Sequence, residues 1–246
     1  MSMAWDFDIK PGVTFGDWLH GELKEEFAFE KPGWAIEQVT RVAGRLQRGR
    51  LPHERLQVEV AWISVPTAFT APGRYIYFNR SLLEVCPHDE AVAFVIAHEM
   101  AHHDLGHLNL FRGWLSSLPR VGMSGVTLAV VFQIVVRRLY GPEQECEADR
   151  HALQLCMDAG YDPHKCLQIF DTLESLALDA GDVDIVFGPD TDSDDELAED
   201  ADWKTKFQIW LWQRMRGYLP IRDRKAALLT YLRQTTERGD WIKWLE

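Results

Sequence analysis

The stretch Pro87-His88-Asp89-Glu90-Ala91-Val92-Ala93-Phe94-Val95-Ile96-Ala97-His98-Glu99-Met100-Ala101-His102-His103-Asp104-Leu105-Gly106 decides how the rest of the chain is read. Pro87 suits a helix start, Asp89 and Glu90 favour the positive end of a helix, and Ala91 to Leu105 contains no breaker. Within it His98 and His102 stand four residues apart. At 3.6 residues per turn that is an offset of about 40°, so both imidazoles leave the helix on one side and can share a metal ion. Glu99 adjoins the first of them and can reach a water at an open metal position, where a carboxylate serves as general base. So short a pattern arises by chance in many chains, and its surroundings have to carry the reading.

Two histidines leave a catalytic zinc site one protein ligand short. Leu105 and Leu108 stand where a Gly and a third His would extend the pattern, and Gly106 and His107 are each displaced from those places by one residue. Continued as helix, the nine-residue offset from His98 sends His107 to the opposite face, and His103 also points away. Both read as surface polar residues or as supports behind the ligands. Downstream, Glu143, Glu145, Glu147 and Asp149 crowd into seven residues. Glu145 and Asp149 share a helical face, with Glu147 to one side. Glu145 would complete a His2Glu set, and Asp149 would accept a hydrogen bond from a ligand imidazole and fix its tautomer. The competing reading is a solvent-facing acidic helix start.

Outward from this centre, residues 1 to 33 lack a sustained period and read as an irregular arm with one short helix near Leu19 to Phe27. Apolar positions Ile36, Val39, Val42, Ala43 and Leu46 predict an amphipathic helix from Trp34, ended by Gly49 and Pro52. Leu56 to Val65 reads as a strand, Pro66 to Gly73 as an irregular run, and Tyr75 to Phe78 as a second strand. The acidic cluster should lie on a helix from Pro142 or Glu143 to Gly160, followed by another over Pro163 to Leu178. Residues 182 to 202 hold ten Asp or Glu, and their mutual repulsion predicts a solvated loop. The spacing of Asp190, Asp192 and Asp194 suggests calcium, but Asp195 stands where the turn needs Gly and Ala201 where it needs Glu. Residues 203 to 246 form a Trp-rich helical tail with a last helix over Arg222 to Gln234.

A net charge of -12 argues against a nucleic-acid partner, since phosphate binding needs a basic surface. Cys86, Cys146, Cys156 and Cys166 form no paired motif and read as thiols of a reducing compartment. With no apolar leader after the N-terminus, a cytoplasmic location is expected. The apolar segment 123 to 136 falls short of the roughly 20 residues of a membrane span, so a buried or interface helix is expected, with membrane-surface contact as the alternative. No motif indicates an oligomeric state.

Several ordered features resemble the gluzincin peptidases of the HtpX-like and CAAX prenyl endopeptidase type. Thr67-Ala68-Phe69-Thr70-Ala71-Pro72-Gly73-Arg74, the apolar strand after it and Leu82-Leu83 precede His98-Glu99-Met100-Ala101-His102. Glu145-Cys146-Glu147-Ala148-Asp149 and Ala159-Gly160-Tyr161-Asp162-Pro163 follow it. The resemblance implies an α+β, zincin-like fold, mostly helical with a small mixed sheet, whose catalytic core spans residues 34 to 180. It implies one zinc per chain on His98, His102 and Glu145, and hydrolysis of peptides or unfolded proteins with Glu99 as base. It also implies that Ala68, Phe69, Thr70 and Ala71 bind the substrate backbone. The chain departs from the family at Thr67, at Arg74 and at Leu219, where a His is usual; Tyr218 or Arg224 is then the candidate contact for the oxyanion or substrate. Two alternatives accompany this expectation: a latent peptidase masked by its terminal or acidic segments, and a zinc-containing scaffold without turnover.

Overall fold

A computed structural model describes residues 14–62, 67–71, 73–108, 140–178 and 221–237. Its strands are β1 (Ala28–Phe29), β2 (Gln57–Trp62), β3 (Ala68–Ala71) and β4 (Tyr75–Asn79), joined in the order β1-β2-β4-β3. β2 and β4 run parallel, while β1 and β3 are antiparallel to their neighbours, so the sheet is mixed. Eight helices are described: α1 (Phe15–Glu26), α2 (Trp34–Leu46), α3 (Arg80–Val85), α4 (Asp89–Asp104), α5 (Pro142–Asp158), α6 (Pro163–Cys166), α7 (Gln168–Leu178) and α8 (Ile221–Glu237).

The strand period of two divides the buried residues between two faces. Val58, Val60, Ala68, Ile76 and Phe78 join the main core with Val39 and Val42 of α2 and Ile96, Ala97 and Met100 of α4. On the other face Phe69, Ala71 and Tyr77 meet Leu19 and Leu23 of α1. The segment read as an irregular arm with one short helix near Leu19 to Phe27 supplies that helix, beginning earlier at Phe15, and in addition the strand β1, which joins the sheet. Thr14 caps α1 by accepting from the Asp17 amide at 3.2 Å.

Three local expectations need correction. The run after Pro66 includes β3, an edge strand paired with β4 from Ala68 opposite Phe78 to Ala71 opposite Tyr75. Helix α4 begins at Asp89, two residues beyond Pro87, with His88 as its N-cap. The helix expected over Pro163 to Leu178 is divided at Leu167 into α6 and α7. The apolar segment 123 to 136, the acidic loop 182 to 202 and, in the Trp-rich tail, residues 203 to 220 and 238 to 246 lie outside the described residues. No helix among the described residues is long and apolar enough to cross a membrane.

Helix α4 is fixed at both ends. Asp89 accepts from Gln38 of α2 at 3.0 Å and pairs with Arg41, while Asp104 accepts from Arg50 at 2.8 Å. Helix α5 ends in a tight left-handed turn at Gly160, φ 82°, where the Gly160 and Tyr161 amides return to the Met157 and Cys156 carbonyls at 2.9 Å. Arg45 of α2 donates to the Ala159 carbonyl at 2.8 Å and lies 4.0 Å over the Tyr161 ring. The Ala-Gly-Tyr run therefore anchors the helix that carries Glu145. Gly160→Ala is expected to lower unfolding free energy by about 1–2 kcal/mol, because a Cβ is strained in that conformation. Denaturant titration checks this, and an unchanged midpoint with an unchanged slope would count against it.

Candidate metal centre

His98, Glu99 and His102 are all buried on α4, and Glu145 and Asp149 are buried on α5. Their sequence spacing places each pair on one face of its helix, and the close packing of α4 on α5 brings the two faces together. The Nε2 atoms of His98 and His102 lie 3.0 Å apart. Glu145 Oε2 is 3.5 Å from His98 Nε2, and its Oε1 is 3.4 Å from His102 Nε2. Ligands on a tetrahedral ion with bonds of 2.0–2.1 Å stand about 3.3 Å apart. The three side chains therefore already have the spacing of a shared ion, and they form a group able to coordinate a single metal.

The outer nitrogens of both imidazoles face protein groups. His98 Nδ1 lies 3.0 Å from Asp149 Oδ1. His102 Nδ1 is hydrogen-bonded to Nδ1 of His107 at 2.9 Å, and the Tyr140 ring stacks on His102 at 3.7 Å with an interplanar angle of 16°. Behind Asp149 sits Arg224 of α8. Its Nε and Nη2 each donate to one Asp149 oxygen at 2.7 Å, and Nη2 is 3.3 Å from Glu145 Oε2.

Charge follows this arrangement. Burial opposes an imidazolium at His98, but the Asp149 and Glu145 carboxylates outweigh it and lift the group to about 9. Burial would raise Asp149, yet Arg224 and His98 hold its carboxyl below the ordinary value. The Arg224 guanidinium resists desolvation because Asp149 stabilises its charge. At His107 burial prevails over the Glu147 carboxylate and lowers the imidazole. The carboxylates of Glu99, Glu145 and Asp149 outnumber the Arg224 guanidinium and the His98 imidazolium, so the pocket favours a further cation.

Helical periodicity sends His107 to the far side of the helix, and the structure brings it to the ligands. α4 stops at Asp104, and Gly106 at φ 71° reverses the chain, so that the His107 amide bonds the His102 carbonyl at 3.0 Å. The Gly after a run ending in Asp-Leu is the signal that the sequence offers. Tyr140 has no sequence signal. Ala68 to Ala71 form the edge strand β3, which packs on α4. Tyr218 lies outside the described residues.

Comparison with known proteins agrees with this geometry. The mitochondrial metalloendopeptidase OMA1 of Saccharomyces cerevisiae is 28% identical over 118 residues, which cover 45% of this chain. The chain spans about a third of that relative's length, 34%. The model of peptidase family M48 matches residues 30–203, well over half of the sequence and every residue of the His-His-Glu cluster. The chain with this metal centre belongs to peptidase family M48.

Proposed function

We propose that the protein is a zinc-dependent endopeptidase acting on peptides or unfolded protein segments. The observation that carries the reading is the convergence of His98 Nε2, His102 Nε2 and Glu145 at tetrahedral spacing, beside a carboxylate at Glu99 that this ligand set does not use. A zinc ion held there supplies Lewis-acid polarisation of the scissile carbonyl and lowers the pKa of a water molecule. Glu99 takes the proton of the attacking water and returns it to the leaving amine. Asp149 orients His98, and Arg224 holds Asp149 and Glu145 in place. The bidentate engagement of Arg224 supports that role over direct contact with substrate.

β3 supplies the recognition element. Its outer edge carries no strand among the described residues, and main-chain bonds along Ala68 to Ala71 can hold an extended peptide with little demand on its sequence. Such a requirement for extended backbone favours unfolded substrates over folded ones. The four free thiols support a reducing compartment.

The test is hydrolysis of casein by the purified full chain, with zinc content measured in parallel. A single zinc per chain, cleavage lost on chelation and cleavage restored by added zinc are expected. Cleavage that survives complete removal of metal would end the reading.

A further inference from the structure

The two ligand imidazoles are held in different ways. His98 turns Nδ1 to a carboxylate, whereas His102 turns Nδ1 to another imidazole, His107, at 2.9 Å. Between two ring nitrogens at that distance only one carries the proton, and which one matters. If His107 donated, a neutral His102 would keep its own proton on Nε2, the atom that lies 3.0 Å from His98 Nε2 and 3.4 Å from Glu145 Oε1. A protonated Nε2 has no lone pair for a metal. If His102 donates, its Nε2 is free to ligate, and a neutral His107 then carries its proton on Nε2, which lies 3.5 Å from Glu147 Oε2. The second arrangement places every proton between a donor and an acceptor, from Glu147 inward.

We propose that His107 is a positioning residue for the metal, its Nδ1 accepting the Nδ1 proton of His102 and so selecting the tautomer in which His102 Nε2 is open to the ion. The inference rests on the metallopeptidase reading above and adds to it a residue outside the ligand set. Three features hold the pair. The Gly106 turn returns His107 to the last turn of α4, Tyr140 stacks on one face of His102, and His107 is itself buried. Glu147 is exposed, so it biases the outer end of the relay without anchoring it.

Zinc affinity of the full chain, measured by competition with a chromophoric chelator, separates this role from mere packing. His107→Leu removes the acceptor and is expected to weaken zinc binding about 10–100-fold. His107→Asn places an amide oxygen where Nδ1 stood and is expected to bind zinc close to wild type. Equal affinity in wild type and His107→Leu overturns the proposal, as does His107→Asn binding as weakly as His107→Leu. Long-range proton–nitrogen correlation spectra of the zinc-loaded wild type give a second readout that needs no variant. They should show the Nε2–H tautomer at His107, and an Nδ1–H tautomer there overturns the proposal. A wild-type chain that takes up no zinc overturns the metal reading itself and this inference with it, whereas wild-type binding with an indifferent His107→Leu overturns only the latter.

Discussion

Glu99→Gln is expected to lower the rate of casein cleavage by about 10²–10⁴-fold while leaving zinc content at the wild-type level. The amide matches the carboxylate in size and still accepts a hydrogen bond, but at neutral pH it cannot take a proton from water. Glu99 is buried beside His98 on α4, and the ligand cluster consists of His98, His102 and Glu145, so the substitution removes basicity without removing a ligand. That separation gives the measurement its force. A ligand variant such as His98→Ala loses metal and rate together and cannot distinguish a base from a scaffold. If Glu99→Gln cleaves as fast as wild type, another group is the base. If neither protein cleaves although both hold zinc, the site is masked or serves as a scaffold, the two alternatives raised by the chain outside the core.

The parts of this site that follow helical arithmetic are legible in the amino-acid sequence alone. His98 with His102 and Glu145 with Asp149 are four-residue pairs on uninterrupted helices, and such pairs share a face whatever the helix packs against. The apolar strand Tyr75 to Phe78 is legible for a similar reason, because a run buried on both faces has few other forms. That same run holds a further signal. Tyr75 and Tyr77 alternate with Ile76 and Phe78 and need their own cover, which Leu19 and Leu23 of α1 provide. Gly16 and Gly21, which give the arm its irregular look, do not outweigh that tertiary demand. His107 is misplaced when helical periodicity is extended past the end of α4. A glycine in the left-handed region reverses the chain within two residues, and helical angles beyond it lose their meaning. Arg224 lies 75 residues from Asp149 in sequence, and only packing of α8 on α5 and α7 brings it to the ligand helix.

Replacing Arg224 by Met is expected to reduce the stability of the metal-free protein by about 3–5 kcal/mol, the usual consequence of leaving a buried charge without its partner. Asp149 and Glu145 are both buried, and among the described residues Arg224 is the guanidinium within reach of both, opposite the His98 imidazole. Without it Asp149 keeps, among the described residues, the contact with His98, whose own proton depends on the same carboxylates. The neighbouring cations of α8 provide internal controls. Arg222 pairs with Glu174 and Lys225 with Asp171 on the surface, and exposed pairs of that kind contribute about 0–1 kcal/mol. Chemical denaturation of Arg224→Met, Arg222→Met and Lys225→Met should therefore separate the first from the other two by several kcal/mol. Zinc should narrow the gap, because an ion bound by Glu145 restores positive charge to the pocket and stabilises whatever folded state binds it. Arg224→Lys should fall between, since an ammonium keeps the charge but cannot bridge both Asp149 oxygens as the planar guanidinium does. A loss at Arg224 no larger than at Arg222 would mean that α8 is held by its apolar contacts, Leu228 and Leu232 foremost, and that the ion pair behind the metal ligands is incidental to the fold.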